Sequence, residues 1–273
     1  MEERLKSAIY GFAVADALGV PYEFRQRGTF ECTDMIGYGT WHQPKGTWSD
    51  DTSMTLATCK SIKVNKKIVL EDILERFKQW YRKGDYTAHN EMFDIGGTTR
   101  RALISGEPGR DIISNGNGSL MRILPLAFID CTNEEIKAVS SLTHAHELSK
   151  TACVIYVTIA KRMLQGYDIK AILLNLNIYL KEFSRLPFIY TYTKDEIKSS
   201  GYVVDTLEAA LWCLTTTYSY KECVLKAVNL GEDTDTVAAI AGGLAGIKYG
   251  YDAIPKEWID KLANKELIEK CLF

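Results

Sequence analysis

Two acidic clusters, each opening a helical stretch, are the residues in this chain best suited to chemistry. The first is Ser49-Asp50-Asp51-Thr52 within GTWSDDT, and the second is Asp233-Thr234-Asp235-Thr236 within GEDTDT. Adjacent carboxylates repel, so each cluster needs a reason. One reason is capping: Ser and Asp satisfy the free N–H groups of a first turn and meet the positive end of the helix dipole. The other is a hard divalent cation, which takes several oxygen ligands from carboxylates and hydroxyls. The second cluster is not an EF-hand. Counted from Asp233, the loop would need Gly at Ala238 and Glu at Leu244. Asp233, Asp235 and Val237 also match DxDxV, a phosphotransfer pattern that belongs at the end of an apolar strand. Asn229-Leu230-Gly231-Glu232 does not read as such a strand.

Four further features could join these clusters. Asp94 precedes a flexible Gly96-Gly97. Ser114 to Arg122 (SNGNGSLMR) carries short side chains that let backbone N–H groups approach a ligand, as in anion-binding nests, although a plain turn has the same composition. Thr143-His144-Ala145-His146 offers two histidines, but no third nitrogen or sulfur ligand stands at a zinc spacing. Asp16 falls on the apolar face of the first helical stretch, where a lone charge is costly unless paired, capped or near a metal.

The elements that must position these groups are helices. Apolar spacing predicts them over 3–18, 50–63, 69–82, 134–142, 147–165, 168–181, 205–217, 220–229, 235–249 and 255–270. Sustained alternation is absent, so strands are not expected. Residues 24–48 and 84–119 are rich in Gly, Thr, Asn and Asp and read as irregular connections. Loops of that length are usually functional. Gly242, Gly243 and Gly246 each cost a helix ~1 kcal/mol against Ala, which makes sense if 235–249 is buried at the centre of the molecule. The acids at its start would then be central too. Without a linker, low-complexity tract or repeat, the expectation is one all-α domain over 1–273.

Composition narrows the function classes. The 273 residues carry 33 Lys+Arg and 35 Asp+Glu, a net charge of −2, which lacks the footprint of a general nucleic-acid binder. The seven cysteines are odd in number and form no CxxC, so free thiols in a reducing compartment are expected. No apolar stretch approaches the ~20 residues of a membrane span. A cytoplasmic monomer without membrane attachment is the expectation.

Taken in order, the segments resemble the ADP-ribosylglycohydrolase family, which includes the dinitrogenase-reductase-activating glycohydrolase and the ADP-ribosylhydrolases. The matching stretches are GFAVADALGVPYE (11–23), GTWSDDTSM (46–54), DIGGTTR (94–100) and NGNGSLMRILP (115–125). Thr143-His144, GYVVDTLEAALW (201–212), GEDTDTVAAIAGGLAG (231–246) and Ile254-Pro255 continue the series. Residues 24–48 match little.

The resemblance implies a compact orthogonal helical bundle with a central cleft for two Mg²⁺ or Mn²⁺ ions. By similarity Ser49, Asp50, Asp51, Asp233, Asp235 and Thr236 hold the ions, with Ser49 standing where members often have Thr. Glu23 and Asp94 become the catalytic candidates. Gly116, Asn117, Gly118, Ser119, Met121, His144 and Tyr202 become the ADP-ribose contacts. The implied activity is metal-dependent hydrolysis of the glycosidic bond of ADP-ribosylated proteins or small molecules, with ADP-ribosyl-arginine as the expected substrate. A non-catalytic ADP-ribose-binding relative is the alternative; loss of the acid motifs would mark it, and none is lost here.

Overall fold

Helix α1 (Glu2–Gly19) lies antiparallel against α10 (Thr234–Tyr249) with almost no side chain between the two backbones. A Cβ on Gly11 would stand 2.6 Å from the Gly242 carbonyl oxygen, and one on Gly246 would strike the Ser7 carbonyl. The three helical glycines therefore pack as their composition predicts. Every residue of α10 from Thr234 to Ile247 is buried. A helix that is apolar all round belongs in a core, and this one forms the axis of the molecule.

The computed structural model describes residues 1–273. Around the central pair stand α2 (Asp50–Asn65), α3 (Leu70–Lys83), α4 (Gly97–Ser105), α5 (Asn133–Ser140), α6 (Glu147–Leu164) and α7 (Ile169–Leu174). The chain closes with α8 (Val203–Thr215), α9 (Tyr220–Val228), α11 (Lys256–Lys261) and α12 (Lys265–Cys271). The fold is all-α, as expected. No sheet forms, and no helix is long and apolar enough to cross a membrane. A contiguous apolar core of 78 buried residues runs from Leu5 to Leu272. Outer helices show ordinary amphipathy: α3 buries Ile73, Phe77 and Trp80 and leaves its charges outside. The seven cysteines are free thiols.

Three expectations are corrected. Residues 84–119 are not wholly irregular, because α4 forms there. Its nine residues start at Gly96-Gly97 without a side-chain cap, so it carries none of the usual start signals. The helix expected over 168–181 stops at Leu174, and short 3₁₀ turns follow. The helix expected over 255–270 is two helices. Between them Asn264 is left-handed at φ 41°, and the Ala263 N–H donates to the Gly46 carbonyl instead of continuing a ladder. That contact anchors the loop leading into α2.

Candidate active site

The C-terminal half of α1 and the N-termini of α2 and α10 converge at one end of the central pair. Gly19 of α1 touches the backbone of Asp235 so closely that no Cβ would fit, and Thr234 Oγ1 donates to the Gly19 carbonyl at 2.8 Å. Asp16, one turn earlier, caps α2 from outside the helix. Its carboxylate accepts from the Ser49 N–H at 3.0 Å, the Thr52 N–H at 3.0 Å and the Thr52 hydroxyl at 2.6 Å. The lone charge on the apolar face is thus satisfied by donors that a helix N-terminus leaves free. Asp16 fixes where Ser49, Asp50 and Asp51 stand. We expect Asp16→Asn, with one carbonyl oxygen for these donors, to weaken Mn²⁺ binding about 10–100-fold, as loss of an orienting partner does. Calorimetric Mn²⁺ titration checks this, and unchanged affinity contradicts the positioning role.

The loops reach the same point. Phe24 N–H donates to the Glu232 carbonyl at 2.6 Å, and Glu232 N–H donates to the Arg25 carbonyl at 2.8 Å. This pairing binds the loop of Glu23 to the turn before α10, where Gly231 and Glu232 both have positive φ. The turn is no strand, which removes the DxDxV phosphotransfer reading. Trp41 Nε1 donates to Glu23 Oε2 and anchors that carboxylate. Asp94 is a non-glycine residue at φ 54°, a conformation that stores strain and is common at functional sites.

Together these residues form an acidic floor. Asp51 Oδ2 accepts from Ser49 Oγ and from Thr236 Oγ1, both at 3.2 Å. Asp233 Oδ2 accepts from Asn117 Nδ2 at 2.8 Å. One carboxylate oxygen each of Glu23, Asp94 and Asp235 lies within 4.8 Å of the others. No Lys or Arg pairs with any of these acids. Asp51 Oδ1, Asp233 Oδ1 and Asp235 Oδ2 are buried without a hydrogen-bond partner. Burial and mutual repulsion accordingly push the carboxyls up. Glu23 rises to about 9 through burial and then Asp94, and Asp94 rises to about 7 through burial and then Asp233. Asp50, Asp51 and Asp235 rise for the same reasons. Orphaned oxygens among unpaired carboxylates and hydroxyls suit a divalent cation.

Above the floor is a cleft of about 310 Å³. Glu23, Asp50, Asp94, Asp233 and Thr236 line it together with Gly116, Asn117, Gly118, Met121, His144 and Gly201. Two isolated bridges, Gly116 with Tyr202 and Gly109 with His144, draw these loops together. Ser49, Asp51 and Asp235 lie beneath the lining and are joined to it through Thr236.

Not every candidate residue faces the cleft. Ser119 Oγ accepts from Ser140 Oγ at 3.0 Å and is wholly buried, so its side chain points into the core. Tyr202 is exposed beside the cleft, and the neighbouring Gly201 lines it instead. His146 is not paired with His144 for a metal; its Nδ1 meets Asn115 Nδ2 at 2.9 Å.

Sequence reasoning missed Phe24, which lines the cleft, and Trp41, which holds Glu23 and packs against Phe24 and Phe93 at 6.1 and 5.7 Å between ring centres. All three aromatics come from irregular segments, where no periodicity marks them. Thr99, within DIGGTTR, also lines the cleft, and its buried hydroxyl has no hydrogen-bond partner.

An all-α scaffold that gathers carboxylates from separate loops and helix starts over one cleft defines a hydrolase-like active centre. The sequence profile of the ADP-ribosylglycohydrolase family matches residues 1–272. The chain belongs to that family, and it is a hydrolase of ADP-ribosyl glycosidic bonds. It is 34% identical to the ADP-ribosylarginine hydrolase Tri1 of Serratia proteamaculans, over 97% of this chain and 77% of that protein. It is 30% identical to the dinitrogen-reductase ADP-ribosyl glycohydrolase of Rhodospirillum rubrum, over 97% and 92%. A solved ADP-ribosylglycohydrolase-related protein complex superposes with a TM-score of 0.84 at 31% identity, covering 99% of this chain and 96% of the other.

Proposed function

We propose that the chain hydrolyses the bond between ADP-ribose and an arginine side chain of a modified protein, releasing ADP-ribose. The observation that carries the arginine assignment is the meeting of acids and aromatics at the cleft. The carboxylates of Glu23 and Asp94 line it with Phe24, and Trp41, which donates to Glu23, packs behind them against Phe24 and Phe93. A guanidinium is a planar cation that carboxylates and aromatic faces both favour. The Serratia relative is named an ADP-ribosylarginine hydrolase, and the Rhodospirillum relative is named for an ADP-ribosylated protein.

Ser49, Asp50, Asp51, Asp233, Asp235 and Thr236 would hold two Mg²⁺ or Mn²⁺ ions. Such a pair supplies an aligned ribose and a more acidic water when bound. The protein does the rest. Carboxylates around the ribose favour the positive charge that develops on the sugar as the glycosidic bond breaks. Asp94, or Glu23 beside it, accepts the proton of the attacking water or of a sugar hydroxyl. The Gly116–Gly118 backbone and Met121 receive the ADP-ribosyl group, and His144 contacts it. The free thiols suit a reducing compartment, and we place the enzyme in the cytoplasm.

The test is kcat/KM on matched peptides carrying ADP-ribose on arginine or on serine. A clear arginine preference is expected, because serine offers no charge to the acids and aromatics. Equal values or a serine preference overturn the acceptor assignment.

A further inference from the structure

Arg122 is a wholly buried cation with no carboxylate partner. Its Nε donates to the Gly118 carbonyl at 3.1 Å, its Nη1 to the Val139 carbonyl at 3.2 Å, and its Nη2 to Thr143 Oγ1 at 2.6 Å. Its guanidinium lies 4.6 Å from the centre of the Phe77 ring. A buried charge held only by carbonyls and one hydroxyl is expensive. Nothing in the hydrolytic reading so far uses it.

The hydrogen bonds give it a direction. A guanidinium only donates, so Thr143 Oγ1 accepts from Arg122. The Thr143 hydroxyl has one proton of its own, and His144 Nδ1 lies 2.8 Å from that oxygen. If the threonine proton goes there, Nδ1 is the acceptor and the ring proton sits on Nε2. The charge argues the same way. Arg122 lies on the Nδ1 side through Thr143, and a nearby cation disfavours a proton on the nearer nitrogen. Burial first and Arg122 second depress the imidazole to about 3, so the ring stays neutral at working pH.

His144 Nε2 faces the loop: a Cβ on Gly116 would lie 3.8 Å from it, and a Cβ on Gly118 would crowd Cε1 at 2.8 Å. Glycine at 118 leaves room for the ring. Nε2 makes no hydrogen bond within the protein, and the ring lines the cleft.

We infer that Arg122 and Thr143 form a proton-ordering relay that sets His144 as a neutral Nε2–H donor toward an acceptor oxygen of the ADP-ribosyl group. Arg122 and Thr143 are positioning residues; only His144 touches the ligand. The donor role rests on the proposed use of the cleft, whereas the relay itself is a property of the ligand-free protein. The same guanidinium holds the Gly118 carbonyl, so one buried cation orders both the histidine and the loop that face the ligand.

The experiment is imidazole ¹⁵N NMR on ligand-free protein labelled at histidine. His144→Gln identifies the His144 signals among the four histidines. The expected wild-type spectrum shows the Nε2–H form with no titration between about pH 5 and 8. Thr143→Ser, which keeps the hydroxyl, retains that form and the wild-type Kd for ADP-ribose. Thr143→Val loses the preference and weakens ADP-ribose binding about 10-fold, the worth of one good hydrogen bond, and KM rises more than kcat falls. An Nδ1–H ring in a wild-type protein that binds ADP-ribose overturns the relay and the Nε2–H donor role and leaves the reading of the cleft standing. An Nε2–H ring in a wild-type protein that binds no ADP-ribose overturns the donor role together with the reading of the cleft. Unchanged tautomer and affinity in Thr143→Val also overturn the relay. The wild-type spectrum decides even if that variant fails to fold.

Discussion

Asp233→Asn and Asp235→Asn each leave a folded protein whose turnover falls about 10³-fold or more, the scale of losing a central electrostatic group. The reason lies in the unpaired oxygens. Asp233 Oδ1 and Asp235 Oδ2 are buried with no donor to satisfy them, in a cluster that repels itself. Neutralising one removes repulsion, so the variant without metal is as stable as the parent or more so. The same change removes a ligand charge. Mn²⁺ affinity therefore falls by more than the roughly 10–100-fold that follows from loss of an orienting partner. Opposite signs in the two measurements separate a ligand from a structural acid. Calorimetric Mn²⁺ titration and thermal melts in chelator give both. Wild-type Mn²⁺ affinity in both variants would remove Asp233 and Asp235 from the metal set.

Asp94→Asn lowers kcat by about 10²–10⁴-fold with little change in ADP-ribose affinity, the span for loss of a general base. Asp94 suits that role better than Glu23. Trp41 anchors Glu23, whereas no side chain donates a hydrogen bond to the Asp94 carboxylate. Asp94 is also the less buried of the two and sits on a strained residue beside Gly96-Gly97. A carboxylate that must take up a proton during turnover needs this freedom. Because Glu23, Asp94 and Asp235 lie within ligand reach of one another, Mn²⁺ affinity is measured alongside kcat. If Glu23→Gln shows the kcat loss and Asp94→Asn does not, the base is Glu23. If Asp94→Asn loses Mn²⁺ as well, Asp94 is a ligand.

Both predictions concern residues whose candidacy was legible without coordinates. GTWSDDT and GEDTDT announced themselves because adjacent acids are costly, and because a glycine-rich helix following the second had to be central. The all-α class was legible for a similar reason: periodicity near 3.6 is a local property, and ten stretches carried it. Asp16 was legible as a problem, a charge on an apolar face, though not as its solution.

What the sequence by itself determined is the pair of acidic, hydroxyl-bearing clusters, the central helix and the order of motifs that marks the family. These depend on residue type and short-range spacing, and both are written along one strand of text. Only the tertiary structure decided which residues meet. Asp16 caps α2 across 33 positions, Asn117 holds Asp233 across 116, and Ala263 splits a predicted helix by bonding Gly46. It turned Ser119 into the core, placed Tyr202 beside the cleft, and set Trp41 and Phe24 around Glu23. Such contacts are fixed by packing and by the need to satisfy each buried polar group, whose partners come from anywhere in the chain. Residue type names a donor or an acceptor; the fold chooses its partner.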